Sequence, residues 1–121
     1  GLEVRGFDVS PVAVGQARDL ARRAGVEERC RFDVADLDDG LPEGPPVDLI
    51  VCHKFRDHRL DDAILGRLKR GGLLALLVLS EVGAVPGPFR AAPGELPAAF
   101  PGLHPLAAGE GQGHAWLLAR A

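Results

Sequence analysis

The 121-residue chain predicts an α/β fold: a mostly parallel sheet with helices on both faces, ended by a C-terminal antiparallel hairpin. Three observations carry this. Apolar segments of strand length alternate with segments of helical period through residue 79. The run at residues 73–79 is apolar at every position, the pattern of a strand buried on both faces. Beyond residue 100, two strand-like segments are separated only by a glycine-rich turn, too short for a crossover helix.

The elements follow in order. Residues 2–9 alternate apolar and polar positions and read as a strand ending near Asp8. Ser10 and Pro11 supply a helix cap and a first-turn proline, and Val12, Gly15, Ala17, Leu20 and Ala24 continue at helical spacing to Gly25. A second strand spans residues 30–34, followed by an acidic loop at 36–40 and a proline cluster that no central strand tolerates. The third strand covers residues 47–52. Leu60, Ala63, Ile64 and Leu68 define an amphipathic helix over residues 59–69, stopped by Gly71 and Gly72 ahead of the apolar strand. A loop rich in glycine and proline, a short helix at 94–100 and strands at 103–107 and 114–119 complete the chain.

At this length one domain with one core is expected, burying roughly two-thirds of the unfolded chain's surface. Fourteen basic residues against seventeen acidic ones give a net charge of −3 with no basic stripe, so a nucleic-acid partner is not expected. The longest apolar run has seven residues against the roughly 20 a membrane helix needs, and no basic-then-apolar leader opens the chain. A cytoplasmic location and a small-molecule partner are the expectation. The two cysteines, Cys30 and Cys52, have no ligand-spaced neighbours, so neither a disulfide framework nor a metal site is indicated. The chain has no methionine and begins at Gly1, which reads as a fragment, a trimmed product or a mis-bounded frame.

In an open parallel sheet, ligands bind beyond the carboxyl ends of the strands. Asp8 ends the first strand, Asp36 follows the second, and Cys52, His53 and Lys54 close the third. A carboxylate at a strand end can accept both hydroxyls of a ribose. An acid after the neighbouring strand can accept an exocyclic adenine amine while the next N–H, that of Leu37, meets a ring nitrogen.

The blocks F-D-V-S-P-V-A-V-G-Q-A-R from Phe7, D-V-A-D-L from Asp33, V-D-L-I-V-C from Val47 and L-K-R-G-G-L-L-A-L from Leu68 resemble, in order and spacing, class I S-adenosylmethionine-dependent methyltransferases after their glycine loop. P-F-R-A-A-P-G-E-L-P-A-A-F from Pro88 resembles the later part of the small tellurite-resistance-like members. The resemblance implies a Rossmann-like fold, S-adenosyl-L-methionine as cofactor, and methyl transfer to a small-molecule acceptor. It places the ribose acid on Asp8, an adenine-packing side chain on Val9, the adenine-side pair on Asp36 and Leu37, and the strand end facing the sulfonium on Cys52 and His53, with His53 the one candidate catalytic group. It also implies that the family's central first strand and G-x-G-x-G turn are missing ahead of Gly1. The chain is therefore expected to bind cofactor poorly, to be impaired in transfer, and to self-associate through uncovered faces and edges.

Other readings stand beside these. Asp8 can serve only as a local cap, and Asp36 can be one acid of a solvated loop. His53 and His58 with Arg56, Asp57 and Arg59 can form a solvated polar loop, and His104 and His114 can be surface residues of the tail. The segment G-E-G-Q-G at Gly109 to Gly113 reads as a hairpin turn, or, across a join of the termini, as the missing glycine loop of a circular permutant. An NAD-linked oxidoreductase shares the strand-acid-helix unit but not the closing hairpin, and a non-catalytic remnant of the methyltransferase fold is the third alternative.

Overall fold

The computed structural model describes residues 1–121, which divide into two compact units, Gly1–Pro42 and Glu43–Ala121. The first is a strand-helix-strand: β1 (Val4–Asp8), α1 (Pro11–Arg23) and β2 (Cys30–Val34). β1 and β2 pair in parallel, Val4 opposite Cys30 and Asp8 opposite Val34. α1 begins where the sequence predicts, because the Ser10 Oγ accepts the Ala13 N–H at 3.2 Å and Pro11 presets the first helical φ. Val14 and Ala21 are its buried positions.

The second unit contains β3 (Val47–His53), α2 (Asp61–Arg67), β4 (Leu68–Leu79), α3 (Glu95–Ala99), β5 (His104–Gly111) and β6 (His114–Arg120). Its sheet has the order β3-β4-β6-β5, with β3 parallel to β4 and both β4·β6 and β5·β6 antiparallel. On one face Leu74, Leu76 and Val78 of β4 lie opposite Ala119, Leu117 and Ala115 of β6, and all six are buried with Leu60, Ile64, Leu96 and Phe100 from the α2 and α3 segments.

Four expectations are corrected. The strands do not form one mostly parallel sheet: β1 bonds only to β2 and β3 only to β4, so a parallel pair and a mixed four-stranded sheet result. Within this unit, helices cover only one face of the larger sheet. α2 and α3 pack one face, whereas Leu49, Val51, Leu77 and Trp116 on the other are 39–63% exposed. The run at residues 73–79 is accordingly buried on alternate positions only, since successive side chains point to opposite faces and only one is covered.

The helix predicted over residues 59–69 is shorter, a 3-10 turn at His58–Leu60 followed by α2, which ends at Arg67. Leu68 turns extended, with ψ 134°, because it already pairs with Val47 of β3. The next partners are Leu49 and Leu73, so β4 carries a bulge here, and Gly71, at φ +80°, supplies the left-handed residue it needs. The two glycines therefore shape a strand and do not stop a helix.

Candidate functional site

In the first unit, the carboxyl ends of β1 and β2 bring Asp8 and Asp36 together. The Ala35 N–H donates to the Asp8 carbonyl at 3.0 Å, extending the parallel ladder by one bond and setting Asp36 one residue beyond it. Each acid uses one side-chain oxygen locally: Asp8 Oδ1 accepts the Ser10 N–H at 2.8 Å, and Asp36 Oδ1 accepts the Asp38 N–H at 2.9 Å. Asp8 is thus not the helix cap, a role Ser10 fills, but it braces the turn into α1. The second oxygen of each acid has no protein partner, and both residues are exposed. Val9 is 64% exposed beside Asp8, and Leu37 is half-buried at the start of a short 3-10 turn.

These residues fit the nucleoside half of an adenosyl group. Two carboxylates at one sheet end each keep an oxygen for a donor, and ribose hydroxyls and an exocyclic amine are such donors. Asp8 also borders a shallow hollow of about 220 Å³ lined by Gly6, Val14, Ala17 and Phe32, smaller than sites that enclose a whole ligand. A hollow of about 300 Å³ between α1 and β2 touches neither acid, and its Arg22 and Arg31 are paired with Asp19, Glu27 and Asp33.

In the second unit, strand alternation separates the two residues expected to face a sulfonium together. Cys52 lies opposite Leu76 on the helix-covered face, whereas His53 lies opposite Leu77 on the open face. Burial raises the Cys52 thiol above its ordinary pKa, an effect the nearby Arg56 partly opposes. Cys52 is a partly buried thiol. His53 is exposed, and Lys54 follows it at φ +54°, with its N–H donating to Leu77 O at 2.7 Å. That left-handed turn at a non-glycine residue redirects the chain sharply at the strand end.

The loop beyond β3 is not a uniformly solvated cluster. Arg56 is buried, its side chain 7% exposed, with Nη1 donating to Asp61 Oδ1 at 2.6 Å, Nη2 to Asp61 Oδ2 at 3.1 Å and Nε to Glu95 Oε2 at 2.6 Å. Its guanidinium carbon also lies 5.8 Å from the centre of the Phe100 ring. Burial alone would lower the Arg56 pKa, but the two carboxylates outweigh it and raise the value. Asp57 caps the 3-10 turn by accepting the Arg59 N–H at 3.0 Å, and the Arg59 guanidinium holds its carboxyl below the usual range. His58 and His104 are exposed as expected, while His114 is half-buried, its Nδ1 3.2 Å from Gln112 O. Sequence reasoning missed the Arg56–Asp61–Glu95 triad. The available signal was an arginine preceding two helices that each begin with an acid.

Gly109 to Gly113 form the end of β5 and a two-residue turn, Gln112 at φ +53° and Gly113 at φ +80°, after which His114 to Arg120 are extended. Two successive positive φ angles are what a tight hairpin requires. The segment following the glycines is a strand and not a helix, which removes the permuted reading.

The fold defined by these elements is shared with solved structures of methyltransferases and of a cyclase. Among solved structures, the [4+2]-cyclase SpnF is 19% identical and superposes with a TM-score of 0.77 over 98% of this chain and 66% of its own. A geranyl diphosphate C-methyltransferase from Streptomyces coelicolor A3(2), in complex with Mg2+, geranyl diphosphate and S-adenosyl-L-homocysteine, is 14% identical at a TM-score of 0.74, covering 100% of this chain and 62% of its own. An O-methyltransferase family 2 protein from Planctomyces limnophilus, in complex with apigenin, is 20% identical at 0.71, covering 98% and 43%. The chain thus spans less than two-thirds of the length of each. No family model matches the sequence, and no curated protein matches it.

Proposed function

We propose that this chain belongs to an S-adenosylmethionine-dependent methyltransferase acting on a small-molecule acceptor. The observation that carries the reading is the pairing of Asp8 and Asp36 at one sheet end, each with a carboxylate oxygen left for a nucleoside donor. Asp8 would accept the ribose hydroxyls, Val9 would pack on the adenine, and Asp36 with the Leu37 N–H would meet the adenine edge. When bound, the cofactor supplies an electrophilic methyl on a sulfonium. His53 would accept the proton that an acceptor hydroxyl releases. Such a transfer relies on positioning and water exclusion more than on a strong acid or base.

The closing hairpin β5–β6 favours this reading over an NAD-linked oxidoreductase. Likeness to a cyclase as well as to methyltransferases means that the fold alone does not fix the reaction. Incubation with methyl-labelled cofactor and a panel of hydroxylated small molecules tests it. Labelled product supports transfer, whereas cofactor binding without transfer to any acceptor points to the non-catalytic alternative.

A further inference from the structure

The outer edge of β3 is bare along its length. The Lys54 N–H donates to Leu77 O at 2.7 Å. In a parallel ladder this directs the main-chain groups of Lys54, Cys52 and Ile50 at β4 and those of His53, Val51 and Leu49 away from it. β3 pairs with β4 alone, and no other main-chain bond takes the outward groups. The other strand edges are guarded. β5, on the far side of the same sheet, has Pro105 near its start, which lacks an N–H, and a bulge between Pro105 and Ala107. In the first unit, the Asp8–Ala35 bond sets the same alternation, so Phe32 and Arg5 present their main chains outward. The Phe32 carbonyl is taken by Arg18, whose Nε and Nη2 donate to it at 3.1 and 2.6 Å, and Arg5 places a charged side chain at the edge of β1.

Only an extended main chain offers donors and acceptors at the alternating spacing that such an edge presents. The chain itself bounds the stretch that can pair. Pro45 and Pro46 precede Val47, and the left-handed turn at Lys54 follows His53. Within that stretch a second copy is self-complementary. An antiparallel two-fold axis at Val51 sets Val51 opposite Val51 of the second copy and Leu49 opposite its His53, and each outward N–H then meets an outward C=O. Moving the axis by one residue would bring the groups already bonded to β4 to the edge. The paired side chains lie on the open face, where Leu49 and Val51 are 45% and 63% exposed, and no like charges stand opposite each other. Because β5 is guarded, such pairing joins two sheets and closes there.

We infer that β3 is a pairing edge through which two copies of this chain join, antiparallel about Val51, into one continuous sheet. The test is amide hydrogen exchange of the labelled chain over a concentration series, with sedimentation measured on the same samples. The Ile50, Cys52 and Lys54 amides, bonded to β4, should be protected at every concentration. Those of Leu49, Val51 and His53 should exchange rapidly in the monomer and gain protection as the dimer forms. Val51→Lys opposes two ammonium groups at the axis and should raise the dissociation constant on the order of tenfold. Val51→Glu should do the same, and an equimolar mixture of the two variants should recover the dimer, which also shows that both remain folded. A chain that stays monomeric at millimolar concentration, or a dimer whose Leu49, Val51 and His53 amides exchange as fast as in the monomer, would overturn the inference.

Discussion

The main-chain carbonyl of Asp8 accepts the N–H of Ala35 at 3.0 Å, and this one bond makes two acids distant in sequence into neighbours. It continues the β1·β2 ladder past Val34, so the residue after Ala35, Asp36, leaves the sheet beside the end of β1. The parallel ladder brings the two acids to one sheet end, and one side-chain oxygen of each accepts a local N–H while the other stays available.

If Asp8 holds the ribose, Asp8→Ala should weaken S-adenosylhomocysteine binding by about 1–3 kcal/mol, the cost of removing a charged acceptor from two hydroxyls. Asp8→Asn keeps an oxygen for the Ser10 N–H but loses the charge, so it should preserve α1 while still weakening the ligand. Calorimetry beside thermal melting separates the two roles. An Asp8→Asn variant that binds normally would reduce Asp8 to a brace of the turn.

The Arg56 triad should contribute to stability through burial. Arg56→Met leaves Asp61 and Glu95, 16% and 30% exposed, without their shared partner. Breaking a fully buried pair costs about 3–5 kcal/mol, and the partial exposure of Glu95 places the expected loss near the lower end. Glu95→Gln, which keeps a hydrogen-bond acceptor for Arg56 Nε, should cost less. Urea denaturation of both variants gives the comparison.

Much of this architecture is legible in the sequence because local chemistry specifies it. The Ser10–Pro11 start of α1, the bounds of β2 and the Asp8 and Asp36 strand ends follow from caps, prolines and apolar period. The apolar run at residues 73–79 misleads for a physical reason. It is composed for a strand covered on both sides, yet within the second unit only α2 and α3 cover it, and composition cannot show which face lacks a partner. The extent of α2 is misread because Gly71 and Gly72 are also good helix stops, and the choice is made by a distant pairing between Leu68 and Val47. Arg56 is likewise invisible locally, since its partner Glu95 is 39 residues away.

Burial of Cys52 makes an alkaline signature. Its folded pKa lies above the ordinary 9.0, so the folded state favours the neutral thiol. This contribution is complete below about pH 9 and declines as pH rises from there towards the folded value, because the unfolded chain ionises first. Cys52→Ala should flatten the alkaline fall in stability, and at pH 8 the native thiol should react with a disulfide reagent more slowly than in urea. Equal rates would show that the β3–α2 packing is open in solution.

We propose that the open sheet face drives self-association of the chain at high concentration. Leu49, Val51, Leu77 and Trp116 form a contiguous apolar surface of the kind monomers rarely expose. Val51→Asp, at a position 63% exposed, should cost little folding stability and shift sedimentation towards monomer. An unchanged distribution would assign association to another surface.

The ends of β1 and β2 are proposed to hold an adenosyl group between Asp8 and Asp36. The most direct measurement is an amide correlation spectrum of the labelled chain titrated with S-adenosylhomocysteine, which resolves even weak binding residue by residue. Val9, Ser10, Leu37 and Asp38 should shift along one isotherm, and Asp8→Ala should weaken that isotherm while the chain stays folded. Shifts confined to Gly109 to Gly113, or no shift at the ends of β1 and β2 at millimolar ligand, would contradict it.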